Sequence, residues 1–266
     1  MRRYVLLVVL VVLAGCSGVA DDSPDRDPYS VDDVVDPDAS NGSTFPPGLG
    51  ADGLEDDRAV LEAHADELAD ESYSIHVTAT VTGAEGSEVF VIDHWTFHEP
   101  DRDGWHVIED RDGEPVSAVT HTPLGTDAGE LRIDHWDLEG ERFQRLEAGD
   151  RSERLEGVRW EIRPGGQRVE SGLAAIGEST VETRTFDGEG YYEVDGETPT
   201  PESPYRDDGF DATVYVTSDG LVEYYEIEGT ILEDGEELTV HKELTVYDIG
   251  ETSLEEPAWV GDAREE

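Results

Sequence analysis

The chain has 266 residues, of which 66 are Asp or Glu and 18 are Lys or Arg, giving a formal net charge of −48. Nucleic-acid binding depends on clusters of Lys and Arg that displace counterions. No such cluster occurs in the sequence, so a nucleic-acid partner is excluded. An internal disulfide is excluded as well, because Cys16 is the only cysteine.

The acidic residues are spread through segments that keep an alternation of apolar and polar positions. Lys242 is the only lysine in the chain. This pattern favours a folded protein adapted to high salt over a disordered acidic chain. At molar salt the Debye length is about 3 Å, which screens the repulsion between surface carboxylates.

Residues 1–15 have the pattern of an export signal, with two arginines followed by an apolar run over residues 4–14. A membrane-spanning helix needs roughly 20 apolar residues, so this run is too short to span a bilayer. The Leu-Ala-Gly-Cys sequence that ends at Cys16 resembles the lipobox of secreted lipoproteins. The resemblance implies cleavage before Cys16 and a lipid on its thiol, which would anchor the protein to the outer face of the cell membrane. A plain secretory signal and an uncleaved anchor are the alternatives.

Residues 16–52 are predicted to form an acidic, disordered tether that carries the lipidated cysteine. Prolines and aspartates interrupt this segment, and no apolar periodicity survives in it. The tether contains Asn41 in an Asn-Gly-Ser triplet, which is an acceptor pattern for N-glycosylation. A chance triplet in a polar loop is the other interpretation.

A helix is predicted over residues 54–71, where one apolar stripe is surrounded by acidic side chains. Asp52 or Gly53 is its candidate N-cap. The strand that follows, over residues 73–82, alternates strictly between apolar residues and Ser, Thr or His. That alternation is typical of a sheet with one buried face and one solvated face.

The same alternation recurs along the rest of the chain, separated by turn residues such as Asp-Gly. It predicts two hairpins, a short mid-chain helix over residues 167–176, and a final segment in which Trp259 packs on the sheet. The predicted strands cover residues 89–98, 104–110, 131–138, 142–148, 158–162, 180–186, 190–194, 211–217, 221–231 and 237–248.

These elements predict an α+β fold in a single domain over residues 53–266. About ten antiparallel strands form a curved sheet, and the short loops favour pairing in sequence order as a meander. The N-terminal helix and the mid-chain helix are expected on the concave side. Two short helices can cover only part of the apolar face, so the sheet should curl around them as a half-barrel.

The lipobox, the acidic tether, the helix at Leu61 to Ala65 and the strand that begins at Tyr73 together resemble haloarchaeal lipoproteins of unknown function. The C-terminal segment from Tyr247 to Trp259 is similar to the end of the same group. The order of helix and meander also resembles the lipoprotein-carrier fold of the LolA, LppX and LprG types. That resemblance implies a curved sheet and helices around an apolar cavity for acyl chains, with no cofactor.

Eight apolar residues are predicted to share the concave face and to form a candidate ligand face. They can form either an ordinary packed core or a cavity for a lipid or another apolar molecule. The predicted function is therefore a monomeric binding lipoprotein, and the alternative is a non-enzymatic cell-surface scaffold. The eight residues are Val214, Val216, Tyr225, Ile227, Leu238, Val240, Leu244 and Val246.

Catalytic and metal-binding patterns are weak in this sequence. His94 and His98 share one face of their predicted strand, and His106 could lie opposite His98 and complete a three-histidine zinc site. This depends on a register that a slip of one residue would destroy. The triplet Asp-His-Trp occurs at both residues 93–95 and 134–136, either as a common site or as half-exposed strand positions. No nucleophile, phosphate-loop or dinucleotide motif occurs, so neither an enzyme nor a metal site is predicted.

Overall fold

The structure is a computed structural model that describes residues 45–100, 104–116, 119, 130–148, 151–156, 166–186 and 188–264. For residues 151–156 and 166–167 the description covers the backbone only. The predicted signal peptide, the lipid attachment at Cys16, the acceptor Asn41 and the predicted strand at 158–162 lie outside the described residues. Of the helices that are described, none combines the length and the apolar character needed to cross a bilayer.

The folded part of the chain begins earlier than residue 53. Two short strands, β1 (Leu49–Gly50) and β2 (Gly53–Leu54), pair with each other. Leu49 is buried in the core, so the described fold includes residues before the predicted boundary at residue 53. Hydrophobic contact explains the difference: Phe45 packs against Tyr192 with 5.5 Å between ring centroids.

The first helix, α1 (Asp57–Leu68), is shorter at both ends than the predicted helix. Asp56 is its N-cap and accepts a hydrogen bond from the Ala59 amide at 3.1 Å. The prediction of Asp52 or Gly53 as the cap was wrong, because Gly53 already pairs in β2. The mid-chain helix α2 (Gly166–Leu173) and a C-terminal helix α3 (Ala258–Arg264) complete the set.

Eleven antiparallel strands form the main sheet, which is open and curved. The α+β half-barrel prediction is confirmed. The strands are β3 (Tyr73–Thr82), β4 (Glu88–Glu99), β5 (Gly104–Gly113), β6 (Glu130–Leu138), β7 (Glu141–Ala148), β8 (Arg151–Glu156), β9 (Ser179–Phe186), β10 (Glu189–Gly196), β11 (Asp211–Thr217), β12 (Val222–Glu233) and β13 (Glu236–Tyr247).

The spatial order of the strands is β8-β7-β6-β5-β4-β3-β13-β12-β11-β10-β9. Neighbours in sequence pair, as predicted, with one exception. β8 and β9 do not pair and form the two edges of the sheet, whereas β3, the first strand of the main sheet, pairs with β13, its last. The sheet therefore consists of two meanders, β3 to β8 and β9 to β13. They are joined in the middle of the sheet, where β3 pairs with β13.

The two faces of the sheet carry different helices. The concave face, which includes Tyr73, Val77 and Tyr225, is packed against buried residues of α1 and α2. The opposite, convex face holds α3 through Trp259 and Val260, which pack with Trp136 and Leu138 of β6. Trp259 is buried on the sheet, which confirms the predicted docking of the C-terminal segment.

Candidate functional site

The strand register places all eight predicted ligand-face residues on the concave face. All eight are buried. The structure separates them into two groups, because different parts of the chain cover them. The first apolar cluster is covered by α1 and α2 and contains six of the eight: Val214, Val216, Tyr225, Ile227, Leu244 and Val246. The second apolar cluster contains the other two, Leu238 and Val240.

No described helix belongs to this second apolar cluster. Its sheet residues come from β3, β4, β12 and β13, and Val116, Val119 and Tyr205 pack against them from irregular segments. At the sheet end beside this cluster lies a cavity of about 660 Å³. Val89, Val116 and Leu238 are part of its apolar lining, and Glu85 and Glu233 are among the carboxylates around it.

Lys242 lies on the concave face between the two apolar clusters. Its neighbours across the strands are Ala79 on β3 and Ile227 on β12, and Val240 and Leu244 flank it on the same face of β13. Its side chain is buried, with Nζ 2.8 Å from Ser171 Oγ on α2. The ammonium also lies over the ring of Tyr225, 5.2 Å from its centroid.

Helix α2 is fastened to the sheet at this point by polar contacts. Tyr225 donates its hydroxyl to the Arg168 carbonyl at 3.1 Å, and Ser171 donates to the same carbonyl at 2.9 Å. Gly172 allows the close approach, because a Cβ at that position would come within 2.9 Å of the Tyr225 ring. Arg168 is thereby held above the adjoining strands β4 and β5.

Glu109 on β5 is the centre of a buried ionic cluster with Arg168. The Arg168 guanidinium donates to Glu109 Oε2 at 2.6 Å, and Arg111 donates to Oε1. His94 Nδ1 lies 2.8 Å from Oε2. Because a carboxylate can only accept, His94 donates from Nδ1, and its Nε2 accepts from Thr96 Oγ1 at 2.9 Å.

The surroundings shift the pKa values of this cluster in physically clear directions. Burial alone would raise the pKa of Glu109, but the hydrogen bond from His94 and the charges of Arg168 and Arg111 hold it well below its usual range. Burial, helped by Arg168, lowers the pKa of His94. Burial, again helped by Arg168, lowers the pKa of Lys242 to about 7.

Lys242 differs from the two arginines of the cluster in its pairing. Arg111 and Arg168 form ion pairs with Glu109, whereas the amine of Lys242 contacts Ser171 and the ring of Tyr225. Among the described residues, no carboxylate pairs with Lys242. An unpaired buried ammonium is costly, so an anion bound beside Lys242 would offset that cost.

The predicted three-histidine cluster does not form. His94 and His98 share the concave face, but His98 pairs with Trp105, and His106 pairs with Phe97 on the convex face. The register differs by one residue from the one that the prediction required, and a shift of one residue reverses the face. The two Asp-His-Trp triplets have their histidines on the concave face but lie two strands apart.

One set of described residues could hold a cation on the convex face of β12 and β13. The ligand atoms of Glu226, His241 and Glu243 lie within 4.8 Å of one another. His241 Nε2 contacts Glu226 Oε1 at 2.7 Å, and Tyr224 donates to both carboxylates. Exposed acidic groups of this kind are common in proteins without a bound ion, so no role follows from this set alone.

The sequence contained one signal for the ionic site, the solitary Lys242. A single lysine in an arginine-containing acidic chain stands out in the sequence. Its contact with Ser171, however, depends on where α2 packs on the sheet. Glu109 and Arg168 were indistinguishable from the many other acids and arginines. Their pairing joins positions 59 residues apart in the chain.

Comparisons with known proteins give little beyond this geometry. No family model matches the chain, and no curated protein matches it. Among solved structures, it is similar to a crystal structure from Vibrio parahaemolyticus of a domain assigned to an outer membrane lipoprotein-sorting protein. The likeness covers 79% of this chain and 99% of that one, at 11% identity and a TM-score of 0.27. A TM-score this low carries no argument, so the fold rests on the strands and register described above.

Proposed function

We propose that this protein is an extracellular lipoprotein of a halophile, anchored through lipid on Cys16, that binds a lipid or another apolar ligand on its concave face. The second apolar cluster, beside the cavity of about 660 Å³, is the observation that carries the proposal. Irregular segments rather than a packed helix cover this cluster. A ligand that replaces Val116 and Val119 on the cluster would gain roughly 25 cal/mol for each Å² of its own apolar surface removed from water, less the same contribution lost by the two valines.

The ligand would lie along β13, with Val240 and Leu238 beneath it. These positions point to the concave face, and the cavity gives access to Leu238 from the end of the sheet. The first cluster, filled by α1 and α2, would act as the fixed core that keeps the sheet curved. In this arrangement the protein needs no catalytic residue and no cofactor.

The test uses the full chain carrying Cys16→Ser, which removes the site of covalent lipid, purified in multimolar KCl. The protein is incubated with phosphatidylglycerol vesicles, separated from them and extracted with organic solvent for mass spectrometry. We expect about one lipid to be retained per chain. Retention of no lipid, both as purified and after incubation, would contradict the proposal.

A matched pair of leucines locates the binding. Leu238→Gln places an amide in the second cluster, whereas Leu232→Gln changes an exposed leucine on the convex face of β12. Lipid retention should fall in the first variant and stay unchanged in the second. Val240→Thr, which keeps the shape of the side chain, should lower retention in a fold verified by circular dichroism.

A non-enzymatic surface scaffold is the second candidate. The observation that favours it is the dense packing of the first cluster, in which Val60 and Leu68 of α1 and Val169 and Leu173 of α2 fill the concave face. A scaffold would retain no lipid in the experiment above. It would instead capture a protein partner from the surface of its own cell in high salt.

A further inference from the structure

We infer that the ligand is an anionic amphiphile, whose acidic head binds Arg168 and Lys242 while its apolar chain lies on the second cluster. This inference rests on the proposed function and adds the chemical class of the ligand. Its starting point is the position of the only lysine. Lys242 lies at the boundary between the two apolar clusters, with Val240 and Leu238 following in one direction along β13.

The distances fit a short amphiphile. Lys242 and Leu238 are four positions apart on an extended strand, which at about 3.4 Å per residue is roughly 14 Å. A head at Lys242 would therefore place an acyl chain over Val240 and Leu238. The end of that chain would reach the cavity beside the second cluster, which Leu238 lines.

The head would approach Lys242 from the side of Arg168. Its side chain remains 20% exposed, although its guanidinium pairs with the buried Glu109. Lys242 lies beyond it, where Ser171 accepts a hydrogen bond from the ammonium. An ammonium can donate three hydrogen bonds, so an anionic head can bind Lys242 without displacing Ser171.

The charges give the reason for an anion. Arg168 pairs with Glu109, and Lys242 has no carboxylate partner in the described part of the chain. The exterior carries an excess of carboxylates, which disfavours nonspecific binding of anions to the surface. At molar salt the screening length is about 3 Å, and buried pairs are screened much less than exposed ones. The preference of the site for a ligand with an acidic head would therefore persist at molar salt.

The experiment compares three probes by calorimetric titration of the full chain carrying Cys16→Ser in multimolar KCl. The probes are dioctanoyl phosphatidate, dioctanoylglycerol and inorganic phosphate. A charge-assisted hydrogen bond contributes enough to make phosphatidate bind about tenfold or more tightly than dioctanoylglycerol. Lys242→Met should remove most of this ratio and leave the affinity for dioctanoylglycerol unchanged.

Two further variants separate the head site from general stability. Lys242→Arg keeps the positive charge and should retain a preference for phosphatidate. Arg58→Met removes an exposed arginine that forms an ion pair with Glu62 on α1, and it should change neither affinity. An unchanged ratio in Lys242→Met would overturn the inference.

The three probes also distinguish the possible failures. If neither amphiphile binds, the proposed function fails, and the anionic head fails with it. If both amphiphiles bind equally, only the anionic head is overturned. If inorganic phosphate binds as tightly as phosphatidate, the site recognises a free anion and the amphiphile is overturned.

A proton measurement adds a readout that a purely structural role of Lys242 would not affect. An anion beside the amine favours its charged form, so binding near pH 8 should take up protons. Titrations of phosphatidate in two buffers with different ionisation enthalpies measure this uptake. Proton uptake should occur in the Cys16→Ser chain that retains Lys242 and should be absent when Lys242→Met is added. Equal uptake by the two proteins would contradict a direct contact of the ligand with Lys242.

Discussion

Trp259 of α3 donates its indole N–H to Asp134 Oδ2 of β6 across 2.9 Å. The same carboxylate accepts from His106 Nε2 at 2.9 Å and from Arg145 Nη2 at 3.1 Å. Burial alone would raise the pKa of Asp134, but the hydrogen bond and charge of His106, together with Arg145, hold that pKa below its ordinary value. The C-terminal helix is thus fixed to the convex face by a buried, charged acceptor.

Trp259→Phe should lower the free energy of unfolding by about 1.5–3 kcal/mol, because it removes a hydrogen bond to a charged group while keeping an aromatic ring. Urea unfolding at constant high salt measures the change. Trp95→Phe is the matched control on the same face, where the indole stacks on His76 with 4.0 Å between centroids. Equal effects of the two substitutions would show that Asp134 is not the source of the stability.

Glu109→Gln should cost more than most single substitutions, about 3–5 kcal/mol, because it removes the buried carboxylate that pairs with both Arg168 and Arg111. The exposed analogue is Glu62→Gln, which breaks a surface ion pair with Arg58. That control should change the unfolding free energy by less than about 0.5 kcal/mol. A small effect at Glu109 would mean that solvent reaches the cluster freely.

Lys242→Met should stabilise the protein near neutral pH, since a buried unpaired amine is replaced by an apolar side chain of similar length. The pKa of Lys242 is lowered from 10.5 to about 7 in the folded state. Between these two values the unfolded chain binds more protons than the folded one, so wild-type stability rises with pH across that window. Below about pH 7 the amine of Lys242 is charged in both states, so the folded protein bears the full cost of burying that charge.

The difference between Lys242→Met and wild type should therefore be largest near pH 6 and shrink toward pH 10, by on the order of a few kcal/mol. Urea unfolding at several pH values tests this dependence. A constant difference across the range would show that Lys242 keeps its ordinary pKa.

Gly172→Ala should destabilise the protein, although a Gly-to-Ala substitution in a helix is usually stabilising. In an exposed helix it stabilises by about 1 kcal/mol, but here the new Cβ would lie 2.9 Å from the Tyr225 ring. The helix must move away from the sheet, so the substitution should destabilise by about 1–3 kcal/mol. Gly190→Ala in β10 is the control, because its new Cβ would have no atom of another part of the chain within 4 Å. It should be neutral or slightly stabilising.

Much of the fold followed from local patterns. The alternation over residues 73–82 became β3 with the same bounds, and Asp234-Gly235 became the turn between β12 and β13, with positive φ at both residues. The alternation did not show β8, because an edge strand with a polar sequence such as Arg151–Glu156 has little apolar pattern. Charged edge strands of this kind protect a sheet from pairing with other chains.

The candidate site was less accessible from sequence. The eight apolar residues share a face because period-two alternation fixes the face of each strand. Their division into two clusters depends on where α1, α2, Val116 and Tyr205 pack, and a strand pattern does not contain that information. The same limit explains His106, whose face depended on a hairpin register that only the pairing of Glu99 with Gly104 establishes.

The pairing of β3 with β13 has a consequence for the order in which the protein can fold. Residues 73–82 emerge early during synthesis, but their partner at 236–247 comes last, so the middle of the sheet stays incomplete until nearly the whole chain is available. Such distant pairing slows folding. It leaves the edge of β3 that faces β13 unpaired in the meantime, and an unpaired strand edge can pair with another chain.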